Sequence, residues 1–76
     1  MDEFVGNLLR EHNLWYEYGT TGNPNEVYIY VEDGDWKHDH LYLQHLMAEN
    51  DFMLLNKRTE PSDDDCYTAE YTFAKL

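Results

Sequence analysis

The sequence predicts an α+β fold: a two-layer sandwich in the order α-β-β-α-β-β, with a four-stranded antiparallel sheet and both helices on one face. Three observations predict it. Apolar residues recur at helical spacing in two stretches, near 2–12 and 36–50. Segments that read as strands follow each stretch, with alternating faces clearest over Glu26–Glu32 and Cys66–Ala74. A run of turn-forming residues then splits each strand-like region into a hairpin. Seventy-six residues make a single compact domain with a small core.

Phe4, Val5, Leu8 and Leu9 have the spacing of one helical face, and Asp2 and Glu3 stand at the positive end of the helix dipole. A helix is expected from Asp2 to His12, ended by Asn13, which tolerates the left-handed conformation. Leu14 to Tyr18 then alternates, with Leu14, Tyr16 and Tyr18 on one side and Trp15 and Glu17 on the other. Gly19 to Asn25 reads as a turn. From Glu26 to Glu32, Val27, Ile29 and Val31 face one side, and Tyr28, Tyr30 and Glu32 face the other.

Asp33-Gly34-Asp35 is expected to break that strand, with Asp35 as a helix N-cap. Trp36, His40, Leu43 and Met47 form a helical stripe within 36–50, with Leu46 beside it. Phe52 to Thr59 reads as a strand, and Glu60 to Asp65 as a turn with Pro61 at its first central position. Cys66 to Ala74 completes the second hairpin, with Tyr67, Ala69, Tyr71 and Phe73 on one face. The two halves show a weak internal repeat. Residues 8–15 align without a gap on residues 46–53, and in both a helix ends at Asn or Asp and a strand follows at once. A duplicated αββ unit is one reading, and shared helix-to-strand geometry is the other.

The net charge is −11, from sixteen acids against five bases. Arg10, Lys37, Lys57, Arg58 and Lys75 are too few and too scattered for the counterion release that drives nucleic-acid binding. Anionic membranes are disfavoured for the same reason, and no apolar run approaches the roughly 20 residues of a spanning helix. A basic partner is favoured, because long-range attraction speeds encounter. Cys66 is the single cysteine, so no internal disulfide forms, which fits a reducing cytoplasm.

Enzyme chemistry has little support. Ser62 is the single serine and falls in an expected turn. Asp63, Asp64 and Asp65 precede Cys66 and disfavour a thiolate there. No glycine-rich phosphate loop exists, and no cofactor is implied. His38, Asp39 and His40, with His45 further on, are weak metal candidates. On a helix His38 and His40 point nearly opposite ways, and His38 and His45 lie two turns apart. A site would need 36–39 to be loop. The acid groups Glu32, Asp33, Asp35, Asp39 and Glu60, Asp63, Asp64, Asp65 lack the order of a calcium-binding EF-hand loop, and a solvated turn kept soluble by charge is the commonest outcome for such runs.

Those two acid groups, together with Trp15, Tyr28 and Tyr30 on the side opposite the aliphatic one, make the candidate partner-binding surface. Trp and Tyr bury much area with few rotatable bonds, and Arg or Lys pairs with carboxylates and stacks on rings. Ordinary cross-strand packing is the plainer use of the same aromatic residues. In size, charge and lack of catalytic residues the chain is similar to phage-encoded anti-CRISPR and anti-restriction proteins. The likeness is one of class and carries over no residue. It implies an inhibitor in the host cytoplasm whose carboxylates stand in for phosphates in the cationic groove of a nuclease or CRISPR effector. The alternatives are an interaction module, adaptor or acidic antitoxin unrelated to nucleic acid, and a histidine-based metal-binding protein. An edge strand and exposed aromatics also favour a homodimer, which the −11 charge per chain opposes.

Overall fold

The computed structural model describes residues 2–63 and 66–76, with side chains for all of these except 2, 33–37, 61–63, 66 and 67. Helix α1 (Asp2–Glu11) leads into the hairpin β1 (Glu17–Thr20) and β2 (Glu26–Asp35). A π-helical turn, Trp36–His40, opens onto helix α2 (Leu41–Glu49), and β3 (Phe52–Asp63) and β4 (Cys66–Lys75) follow. All strand pairs are antiparallel, in the order β1-β2-β4-β3. The second strands of the two hairpins therefore meet at the centre of the sheet, and the first strands form its edges.

Both helices cover the aliphatic face. Val5, Leu8 and Leu9 of α1 and Leu43, Leu46 and Met47 of α2 are buried. They meet Val27, Ile29 and Val31 of β2, Phe52 of β3, and Ala69, Tyr71 and Phe73 of β4 in one cluster. Alternation along β2 and β4 aims these side chains at the helices, so their neighbours must face away. One polar residue joins the described core. His40 is fully buried, and its Nδ1 lies 2.5 Å from the Tyr71 hydroxyl, so the pair satisfies itself where water does not reach.

Several boundaries differ from the sequence expectation. The first strand begins at Glu17, not Leu14. Asn13 takes the left-handed conformation, with φ of 62°. Asn13 N–H donates to Arg10 C=O at 3.0 Å and Leu14 N–H donates to Leu9 C=O at 2.8 Å. This pair of bonds is the Schellman arrangement. It commits the Leu14 amide to the helix, so the sheet ladder starts later. Gly19 and Thr20 are consequently strand rather than turn.

Asp33-Gly34-Asp35 does not break β2. The ladder shifts by one residue between Val31 and Gly34, then resumes with Gly34 opposite Tyr67 and Asp35 opposite Cys66. Such a bulge absorbs an extra residue while the strand continues. Asp35 is therefore not the cap of α2. The π-helical turn comes between, and His40 occupies the N-cap position without a side-chain cap bond. Pro61 does not open a turn either. It lies within β3, opposite Tyr67. β3 is an edge strand, and a proline is tolerated there because its missing N–H interrupts only one side of the ladder.

Candidate docking face

The sheet face away from the helices carries no covering element. Strand register sorts its residues into cross-strand rows. Glu17 pairs with Tyr30, Tyr30 with Glu70, and Glu70 with Arg58. That row crosses all four strands and alternates carboxylate, ring, carboxylate and guanidinium. In the next row Gly19 pairs with Tyr28, Tyr28 with Thr72, and Thr72 with Asn56. On the other side Glu60 pairs with Thr68, and Tyr30, Arg58, Glu60, Thr68 and Glu70 line one shallow depression. Trp15, Tyr16, Glu17, Tyr30 and Glu32 line a second.

Four carboxylates thus converge around Tyr30: Glu17, Glu32, Glu60 and Glu70. Strands lie about 4.8 Å apart, so the backbones of Glu17 and Glu70 stand roughly 10 Å from each other across Tyr30. Arg58 is the base on this face. Its Nη2 is 3.6 Å from Glu70 Oε2, with the Arg58 side chain 77% exposed and Glu70 41% exposed. Such a pair is loosely held and adds little to stability. Glu26 begins the same strand, but its carboxylate is engaged at the hairpin turn. It accepts from Thr21 Oγ1 at 3.2 Å and from Asn23 Nδ2 at 3.0 Å.

The other described bases face elsewhere. Lys57 Nζ lies 5.7 Å from the Tyr71 ring centroid, on the helix side of β3. Lys75 Nζ lies 5.4 and 5.0 Å from the ring centroids of Phe4 and Phe52 and donates to Asn50 C=O at 2.8 Å. Arg10 donates to Asn7 on α1. Among the described residues the uncovered face thus holds Glu17, Glu32, Glu60 and Glu70 with Arg58, while the helix side holds Glu3, Glu11, Glu49 and Asp51 with Arg10, Lys57 and Lys75.

Of the residues singled out from sequence, Trp15, Tyr28, Tyr30, Glu32 and Glu60 meet on this face. Trp15 is 77% exposed. Tyr28 and Tyr30 are half-buried among their strand neighbours. Asp39 is placed differently. It is half-buried on the π-helical turn and accepts the Tyr16 hydroxyl. Burial first, and then the charge and hydrogen bond of Asp39, push the Tyr16 phenol up to about 12. The side chains of Asp33, Asp35 and Asp63, and the whole of Asp64 and Asp65, lie outside the described residues.

Glu17 and Glu70 belong to the face and were not singled out. Their signal was parity. Glu17 shares a side with Trp15, and Glu70 falls between Ala69 and Tyr71 of the buried set. Of the histidine candidates, His40 is buried against Tyr71, while His38 and His45 are exposed. Among the described residues no three His, Cys, Asp or Glu side chains are grouped to hold an ion. No described helix is long and apolar enough to cross a membrane. No protein-family model, curated protein or solved structure matches the chain.

Proposed function

We propose that this chain is a small acidic binding protein that occupies the cationic groove of a nucleic-acid-handling protein and acts by that occupancy alone. The observation that carries the reading is the uncovered sheet face. Glu17, Glu32, Glu60 and Glu70 surround Tyr30 there, and Lys57 and Lys75 lie against rings on the helix side instead. The sheet fixes the spacing of the strands that carry the carboxylates, so docking orders side chains but no backbone. The tyrosines and Trp15 supply contact area between them. A groove built for phosphates offers Arg and Lys at a similar density, so a nuclease or CRISPR effector of a phage host is the class of target that fits.

Capture from a bacterial lysate tests this, comparing the wild type with a Glu17→Gln/Glu32→Gln/Glu70→Gln variant. The expected result is a nucleic-acid-binding protein retained at low salt, released at high salt, lost from the variant, and displaced from its duplex by the wild type. A partner with no nucleic-acid role that stays bound at high salt, and equally to the variant, would overturn the reading in favour of an adaptor. Self-association in place of any partner would overturn it in favour of a homodimer.

A further inference from the structure

The depression lined by Glu17, Tyr28, Tyr30 and Glu70 has the chemistry of a seat for one cationic side chain. We propose that it takes an arginine of the partner in preference to a lysine. The inference rests on the docking face described above and specifies what that face reads.

Three observations lead there. First, two carboxylates stand on opposite sides of one ring, because register places Glu17 and Glu70 on the two neighbours of Tyr30. A guanidinium is planar and carries five donors in a fork. Laid on the ring, it reaches toward carboxylates on both sides, whereas an ammonium has three donors on one compact atom and lacks the flat fork that spans a ring. Second, Tyr28, which lines the depression, packs over Gly19 on β1. A Cβ there would come within 2.8 Å of the Tyr28 ring, so the ring leans across the strand into space that any other residue would fill. Tyr28 thus sits toward β1, and it lines the depression together with Tyr30, Glu17 and Glu70.

Third, the chain already seats a guanidinium on one of these carboxylates. Arg58 lies at the end of the same row with Nη2 3.6 Å from Glu70 Oε2, and it remains largely exposed. An incoming arginine competes with Arg58 for Glu70. Arg58 therefore acts as a weak internal competitor that lowers affinity and favours partners able to use Glu17 as well. Lys57 is the natural control. It is adjacent in sequence and equal in charge, but it lies over the Tyr71 ring on the opposite face.

The test is titration of the intact protein with acetylated hexa-arginine and hexa-lysine amides at fixed ionic strength, read by backbone amide NMR shifts. The expected preference for hexa-arginine is about twofold and at most roughly fivefold, the worth of one whole exposed cation–π contact, since an ammonium also makes part of it. Tyr30→Val should abolish the preference while binding of both peptides persists. Glu17→Gln and Glu70→Gln, which keep the side-chain shape, should weaken hexa-arginine binding more than hexa-lysine binding. Arg58→Gln should tighten hexa-arginine binding, and Lys57→Gln should change it less. Equal affinity for the two peptides, no binding of either, or equal gains from Arg58→Gln and Lys57→Gln would overturn the proposal. If Tyr30→Val does not fold, the two Glu→Gln variants decide the point. Loss of the arginine preference with the nucleic-acid competitor role intact would sink the seat alone. An arginine preference without a nucleic-acid-handling partner would sink that role alone.

Discussion

The two halves of the chain end their helices alike and then build different strands. After α1, Asn13 takes φ of 62°, and after α2, Asp51 takes φ of 66°. The bonds correspond as well. His12 N–H to Leu9 C=O and Asn13 N–H to Arg10 C=O match Asn50 N–H to Met47 C=O and Asp51 N–H to Ala48 C=O, all between 3.0 and 3.2 Å. Beyond that point the halves part. Phe52 pairs at once with Lys75, and β3 runs twelve residues. β1 waits until Glu17 and runs four. The lesson is that the cap reverses the chain but does not set the length of the strand that follows. Length is set by the neighbour. β3 lies along nearly the whole of β4, whereas β1 lies along only the first part of β2.

The largest expected effect tests whether the two caps are equivalent in packing. Leu9 and Met47 occupy the same position relative to their caps, and both are buried in the common core. Leu9→Ala and Met47→Ala should each destabilise the fold by about 2–5 kcal/mol. Urea unfolding followed by circular dichroism measures both. If one loss is within a few tenths of zero, the two halves do not share one core and the comparison fails.

Much of this was legible before the structure. The buried stripes of α1 and α2 follow from spacing, and the inward residues of β2 and β4 follow from alternation. Alternation also assigns Glu17 and Glu70 to the uncovered face, but a single acid in a strand carries no local signal that marks it as part of a cluster. What alternation does not carry is how far pairing extends. Gly34, Asp35 and Pro61 are turn-formers by composition, yet they stay in the ladder because β4 offers Tyr67 and Cys66 opposite them. Strand order is equally hidden. Nothing in either hairpin alone says that β2 and β4 will meet, since that choice rests on the helices sharing one aliphatic face. The π-helical turn before α2 is silent in sequence because its residues also suit an ordinary helix.

A smaller effect sharpens the comparison at the caps themselves. Asn and Asp tolerate positive φ better than residues whose side chains offer no local hydrogen bond. Asn13→Ala and Asp51→Ala should each cost about 1 kcal/mol, within the range for a left-handed residue with a Cβ, and the glycine variants should recover it. Equal losses at the two sites would show that the caps are energetically as well as geometrically alike. A loss at Asn13 alone would show that the extra Leu14 N–H to Leu9 C=O bond at 2.8 Å makes the first cap the more demanding one.

The smallest expected effect concerns a contact that the second half cannot repeat, because it ties the late start of β1 to the segment ahead of α2. Tyr16 lies in the stretch between the first cap and β1, and it donates to Asp39 on the π-helical turn. Burial, then the Asp39 charge and the hydrogen bond, raise the phenol from its ordinary 10 to about 12. The folded state therefore favours the neutral phenol. The stabilisation is whole below pH 10 and is lost as the pH rises from 10 through about 12. Tyr16 is partly exposed, so water screens the contact and its contribution is modest. Comparing urea midpoints of the wild type and Tyr16→Phe at pH 8, 10 and 11.5 reads this directly. The wild type should be the more stable at pH 8, and its margin should shrink at 11.5. A margin that does not change with pH would mean that Tyr16 acts by packing alone and that Asp39 does not join the two halves.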